Sequence, residues 1–156
     1  MRNLLVALTA VSMTAPAFAG PGSELAETAG RLRSEAESRA ETYTAMPGAS
    51  IPPIGQDDPF LTDVSEFATA SAMLSHRIEA SGGPQDLRCI FRGMSGDAQD
   101  RIADLETSHS GAELARIYRD YVYLFAQAEE IAPLADDPDV EEADGVPPSC
   151  PVESLD

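Results

Sequence analysis

The residues best suited to acid–base or nucleophilic chemistry are two histidines in a chain of 156 residues. A serine or cysteine nucleophile needs a base within hydrogen-bond reach, and the only imidazoles belong to His76 and His109. Ser108 and Ser110 flank His109, but residues adjacent in sequence seldom form a catalytic pair. Ser110 also precedes Glu113 at the spacing of a helix capping box, which explains its presence without catalysis. His76 falls on the polar side of a predicted helix. Since neither histidine has a catalytic partner in this pattern, the sequence predicts no catalytic residue and no enzyme.

Metal and cofactor motifs are also missing from the sequence. It contains no H-E-x-x-H, no C-x-x-C and no glycine-rich phosphate loop. The acidic run at 136–145, DDPDVEEADG, has the density of oxygen ligands found in a calcium loop. Counted from Asp137, however, the sixth residue is Glu142 and the twelfth is Pro148, where an EF-hand requires Gly and Glu. We therefore predict no metal site and no cofactor, and keep weak association of divalent cations with this run as an alternative.

Cys89 and Cys150 are the two cysteines of the chain. In an exported protein such a pair favours a disulfide, which would close a loop of about sixty residues. Cys89 faces outward on the third predicted helix, which starts at Pro84. The bond would therefore hold the acidic tail across the outside of that helix, where acids of the tail could meet Arg88 and Arg92. The alternative is a reactive Cys89 thiol, activated by the two arginines.

One aromatic residue breaks the apolar pattern of the strongest predicted helix. Tyr123 projects from the polar face, one turn beyond Arg119 and near Arg116. Stacking of Arg119 on the ring is a local explanation. Tyrosine and arginine are also typical of interaction hot spots, so Arg116, Arg119 and Tyr123 form the predicted interaction surface.

The charge of the chain limits its partners. Its 27 acids and 10 bases give a formal net charge of −17. Such a field opposes binding to nucleic acid and to anionic lipid head groups. We therefore expect no nucleic-acid partner, and a protein partner with a basic surface.

The first nineteen residues have the pattern of a secretory signal peptide. One Arg is followed by an apolar run from Leu4 to Val11 and by Ala17-Phe18-Ala19, which fits the cleavage pattern A-x-A. This run is much shorter than the ~20 residues of a membrane-spanning helix. The sequence thus predicts cleavage after Ala19, a periplasmic or secreted location and no membrane span.

Helical periodicity organises the remaining chain. A helix is predicted from Ser110 to Ile131. Seven residues fall on its apolar arc: Leu114, Ile117, Tyr118, Tyr121, Phe125, Ala128 and Ala132. A second helix is expected from Thr62 or Asp63 to Ala80, with Phe60, Val64, Phe67, Ser71, Leu74 and Ile78 facing inward. Two short helices, starting at Pro84 and near Asp97, are expected to be separated at Ser95-Gly96.

The predicted divisions are a signal peptide (1–19), an Ala-rich helix (20–45), a Pro/Gly linker (46–59), a helical core (60–133) and an acidic tail (134–156). The fold class is all-α: a small antiparallel bundle of about four helices, with a loosely attached N-terminal helix and a disulfide-tethered tail. The expected function is that of an exported, non-enzymatic binding or adaptor protein acting through protein–protein contacts. The alternative is a periplasmic protein that binds a divalent cation or a small ligand.

Overall fold

A computed structural model of the chain describes residues 20–141 and 149–150. It contains four α-helices: α1 (Pro21–Thr44), α2 (Pro59–Ser81), α3 (Gln85–Thr107) and α4 (Gly111–Ile131). A short 3-10 helix, Ala132–Asp136, follows α4 directly. Neighbouring helices are antiparallel, α1 packing mainly on α4 and α2 mainly on α3. The predicted all-α fold is confirmed, since the described residues contain an isolated bridge between Ser50 and Ser110 and no strand.

The apolar arc of α4 forms the centre of the core, as predicted. All seven residues of the arc are buried. The rings of α2 meet it edge-on, Phe60 against Tyr118 and Tyr121, and Phe67 against Phe125. Edge-to-face contacts of this kind add to the free energy gained by burying the rings. The expected inner face of α2 is buried as well.

The N-terminal helix α1 is an integral member of the bundle, in contrast to the expected loose attachment. Its stripe of leucines and alanines is buried: Leu25, Ala29, Leu32, Ala36 and Ala40. Alanine contributes little apolar area, but its small side chain allows two helices to approach closely. Arg33 adds an ion pair to Glu129 of α4, at 2.7 Å. The expected loose attachment was therefore wrong, because small side chains pack closely even though each buries little apolar area.

The start of α2 also differs from the prediction. The helix begins at Pro59, and the N-cap is Asp58, whose carboxylate accepts a hydrogen bond from the Phe60 N–H at 2.9 Å. The predicted start at Thr62 or Asp63 was wrong because Pro59 was assigned to the linker. Proline is favoured at the first helical position, where its missing N–H costs nothing. Asp63 pairs instead with Arg31 of α1.

One continuous helix replaces the two short helices expected between Pro84 and Leu105. Helix α3 runs through Ser95 and Gly96 without interruption. Glycine lowers helix stability but does not end a helix that packs along its whole length. Gly82, by contrast, has a φ of 70° and ends α2 close to the predicted end at Ala80.

The linker between α1 and α2 contacts the turn between α3 and α4. The Ile51 N–H donates to the His109 carbonyl at 2.9 Å, and the Gly111 N–H donates to the Ala49 carbonyl at 3.2 Å. A Cβ on Gly111 would lie 2.1 Å from the Met46 carbonyl oxygen, so this approach requires glycine. These contacts hold the linker against the N-terminus of α4.

The predicted disulfide between Cys89 and Cys150 is present, with the Cα atoms 5.1 Å apart. Cys89 is half-buried on the outer side of α3, as expected. In the described part of the chain, no helix combines the length and hydropathy that crossing a membrane requires.

Candidate binding surfaces

The most extensive polar network joins α1, α2 and α4 around Arg39. The Arg39 guanidinium donates to both oxygens of Asp58, at 2.8 and 2.9 Å, and to the Tyr118 hydroxyl at 3.2 Å. Glu35, one turn earlier on α1, accepts from the same group at 2.8 Å. The guanidinium carbon lies 4.9 Å from the centre of the Phe60 ring. We call this group the Arg39 cluster.

Electrostatics in the Arg39 cluster favour the charged forms. The hydrogen bond from Arg39 holds the pKa of Asp58 below its usual range, and burial opposes this only in part. Burial acts to lower the pKa of Arg39, but its bonds to Asp58 and Tyr118 raise that pKa overall. Burial raises the pKa of Tyr118 to about 12, so its phenol is neutral and can accept from Arg39. The cluster thus joins α1, α2 and α4 through hydrogen bonds to the charged guanidinium of Arg39.

The Arg39 cluster was not predicted from the sequence, because Asp58 was assigned to the linker (46–59) and was not connected with Arg39. The pair of residues Asp58-Pro59 could have revealed the cap, because Asp at the N-cap before Pro at N1 is a common helix start. Nothing local indicates that Arg39 would reach that cap.

A second long-range cap closes the opposite end of α1. Asp136, in the 3-10 helix, accepts from the Gly22 N–H at 2.9 Å and from the Ser23 N–H at 2.7 Å. The Ser23 hydroxyl donates to the same carboxylate at 2.7 Å. Although burial acts to raise the pKa of Asp136, these hydrogen bonds lower it overall. The chain following α4 therefore completes the first turn of α1.

The capping box at the start of α4 forms with one change from its predicted geometry. The Ser110 hydroxyl accepts from the Glu113 N–H at 3.3 Å. The Glu113 carboxylate accepts from the Ser110 hydroxyl and from the N–H of His109, one residue before the cap. These bonds lower the pKa of Glu113, the one from the Ser110 hydroxyl most of all. Ser110 is thus used in helix capping.

Both histidines are exposed in the described structure. His76 is 82% exposed, and its Nδ1 is 3.8 Å from a carboxylate oxygen of Glu79. His109 is exposed, and its described hydrogen bonds are made by its backbone. The described residues also contain no group of three or more His, Cys, Asp or Glu that could hold a metal ion. Residues 142–145 of the acidic run lie outside the described part of the chain.

The structure also places two polar side chains of α2 and α3, those of Ser71 and Arg88. The hydroxyl of Ser71 is buried and has no hydrogen-bond partner among the described residues. Arg88 donates to Glu79 of α2 at 3.1 Å. The expected contacts of Arg88 and Arg92 with acids of the tail stay a prediction. Tail residues 142–148 and 151–156 lie outside the described chain.

No protein-family model, curated protein or solved structure matches this chain. The surfaces of the bundle are therefore the basis for any functional proposal.

The predicted interaction surface on α4, formed by Arg116, Arg119 and Tyr123, is exposed. Tyr123 is 72% exposed. Arg116 forms an ion pair with Asp120 of its own helix, at 3.0 Å. Arg119 lines a shallow groove against Ala40 and Thr44 of α1. The cation–π contacts of the described residues are made by Arg39, so stacking of Arg119 does not account for Tyr123.

A larger apolar depression lies between α2 and α3, which we call the α2–α3 groove. Its volume is about 610 Å³, and its apolar lining includes Leu61, Ala70 and Ile102. Met73 is 56% exposed at one end. Glu66 and Glu106 are the charged residues of its lining. Sequence analysis missed this groove because Met73 lies outside the buried arc of α2, and the only available signal was a methionine on a polar face.

The groove continues toward the start of α1. A smaller depression shares Ala70 and Met73 with it, and adds Pro21, Leu25 and Arg77. Met73 thus stands between two apolar depressions on one side of the bundle. Methionine is flexible and polarizable and is common on surfaces that bind apolar segments.

Proposed function

We propose that this protein is an exported, non-enzymatic helical binding protein whose α2–α3 groove docks a segment of another protein. The observation that supports this most is the exposure of Met73 in an apolar groove with an acidic lining. Exposed apolar surface of this kind is common where proteins bind one another.

The chemistry of the partner follows from the lining. Leu61, Met73 and Ile102 offer contacts to aliphatic or aromatic side chains, while Glu66 and Glu106 offer charge partners to Lys or Arg. An amphipathic helix with apolar residues at i, i+3 and i+4 and basic residues on its flanks would satisfy both. The net charge of −17 would also speed the approach of such a partner at low salt.

Export is the second part of the proposal. The pattern of residues 1–19 favours a signal peptide cleaved after Ala19, and a disulfide such as Cys89–Cys150 is typical of oxidising compartments outside the cytoplasm. Intact mass and N-terminal sequencing of the protein isolated from its native source test this. A mature chain beginning at Gly20 supports the proposal, and a retained Met1 would contradict it.

Partner capture with matched variants tests the binding function. Tagged wild-type protein is used to recover partners from the extracytoplasmic fraction of the source cells, at low and at high salt. We expect a partner that is retained at low salt, released at high salt and lost in Met73→Asp. The variant Tyr123→Ala serves as the matched control, because Tyr123 is the more exposed of the two residues and lies on α4.

The outcomes separate the two surfaces. Loss of the partner in Met73→Asp alone supports the α2–α3 groove. Loss in Tyr123→Ala alone would move the binding site to the surface of Arg116, Arg119 and Tyr123. Recovery unchanged in both variants, or absent from wild type, would refute the proposal.

A further inference from the structure

A third cavity differs from the α2–α3 groove in its charge. It lies on the outer side of α2 and α3, has a volume of about 590 Å³, and is closed on one side by Ser149 and Cys150. Its charged and titratable lining comprises Arg88, Arg92, His76 and Glu79. We call it the Cys150 pocket.

Local charge is what distinguishes the Cys150 pocket from the other described cavities. Two arginines face one carboxylate, a positive balance even with His76 neutral. The α2–α3 groove, in comparison, contains two carboxylates and no base, and the cavity beside the 3-10 helix contains Asp136 and Asp137 and no base. In a protein with a net charge of −17, an anion is repelled by most of the surface and attracted here.

The two arginines differ in how they are held. Arg88 is fixed on both sides: its guanidinium donates to Glu79 at 3.1 Å, and its carbonyl accepts from the Ser75 hydroxyl at 2.9 Å. Arg92 lies one turn later on the same face of α3 and is exposed. It makes no ion pair or hydrogen bond with a residue in the described part of the chain. Its guanidinium fork therefore remains open to a ligand.

Hydroxyl groups complete the donor set. Ser95 lines the pocket and is buried, and Ser149 lines it from the tail. Arginine with one or two hydroxyls is a common arrangement for binding phosphate and carboxylate oxygens, since each N–H or O–H can donate to a separate oxygen. The volume exceeds that of an inorganic anion, so a small organic molecule would fit.

The wall formed by Ser149 and Cys150 depends on a covalent bond. The disulfide holds Cys150 on α3 at a residue 61 positions earlier in the chain. Without the bond, the tail would keep this position only through non-covalent contacts, and no hydrogen bond is described for Ser149. The enclosure of the pocket is thus tied to the oxidised state.

We propose that the Cys150 pocket binds a small molecule carrying a phosphate or carboxylate group, with Arg92 as the principal donor, and that binding requires the disulfide. This site goes beyond the protein-docking function and is independent of it. The Arg92 guanidinium would hold two oxygens of the ligand, with Arg88 and Ser95 beside it.

Titration with inorganic phosphate and with citrate tests the site. The purified oxidised protein is titrated at constant ionic strength, and amide chemical shifts near Arg92 and Ser95 are followed by NMR. We expect saturable binding with a dissociation constant of about 1 mM for at least one anion, and weakening of about fivefold to tenfold in Arg92→Gln. Tighter phosphate binding assigns the ligand to phosphate compounds, and tighter citrate binding assigns it to carboxylates.

Two controls make the result decisive. Arg31→Gln changes the net charge equally at an exposed arginine on α1 and should alter the affinity less than twofold, as expected for a remote surface charge. Wild-type protein reduced with dithiothreitol, with its helix content checked by circular dichroism, should lose most of the binding. Absence of saturable binding, or equal weakening in Arg92→Gln and Arg31→Gln, would overturn the site. Full affinity in the reduced, folded protein would overturn the requirement for the disulfide.

Discussion

Replacement of Asp58 should expose how much the Arg39 cluster stabilises the bundle. Asp58 caps α2 through the Phe60 N–H, and a cap is worth about 1 kcal/mol. Its carboxylate also carries two hydrogen bonds from Arg39. Removing one member of a fully buried ion pair costs about 3–5 kcal/mol. Here the side chains of Arg39 and Asp58 keep 24% and 20% of their exposure, and Glu35 remains, so we expect about 2 kcal/mol for this part.

The expected losses of unfolding free energy are about 3 kcal/mol for Asp58→Ala and about 2 kcal/mol for Asp58→Asn, because asparagine retains the cap. Urea denaturation at pH 7, followed by far-UV circular dichroism, measures both. The matched control is Asp63→Ala, which removes the exposed ion pair from Asp63 to Arg31 and should cost about 0.5 kcal/mol. Losses for Asp58→Ala no larger than for Asp63→Ala would refute the role of the cluster.

The same variants give a signed pH dependence. Arg39 lowers the pKa of Asp58 in the folded state from its ordinary value of 3.8. The stabilisation from the pair is therefore present above pH 3.8 and is lost as the pH falls through the lower folded pKa. The stability difference between wild type and Asp58→Asn should narrow below about pH 4. A difference that stays constant in that range would show that the carboxylate charge contributes nothing.

Four further changes test other parts of the fold, and only the first is expected to stabilise it. Gly96→Ala should stabilise the protein by about 0.5–1 kcal/mol, because the added methyl meets no atom within 4 Å. Gly111→Ala should destabilise the protein, because the added methyl clashes with the linker. Thermal melts measure both variants, and a higher melting temperature for Gly111→Ala than for Gly96→Ala would contradict the reasoning. Reduction of Cys89–Cys150 should lower stability by about 4 kcal/mol, measured by urea titration with and without reductant, and an unchanged midpoint would show that the loop contributes little. Asp136→Ala should lower the free energy of unfolding by about 1 kcal/mol at pH 7, and should have no effect at a pH below the lowered pKa of Asp136. Equal losses at both pH values would contradict this.

The candidate surfaces show where sequence reasoning stops. Exposure of Tyr123 was predicted from its position on the polar face of α4, and the structure agrees. The α2–α3 groove was not predicted, because Leu61 and Ile102 come from different helices and become neighbours only through packing. The Cys150 pocket was partly predictable, since Cys89 was placed between Arg88 and Arg92 on the outside of α3. The roles of Glu79 and Ser95 depend on how α2 and α3 face each other.

The sequence by itself determined the helical class, the buried faces of α2 and α4, the cap at Ser110 and the pairing of the cysteines. These follow from local rules: the spacing of apolar residues, the hydrogen-bonding of a cap, and the presence of a single possible pair. The tertiary structure alone decided that α1 belongs to the core, that Arg39 reaches Asp58, and that Asp136 caps α1. The physical reason is that periodicity indicates which side of a helix is apolar, but not which other helix covers that side. The covering helix and the polar contacts at its edge depend on the register between segments that are distant in sequence.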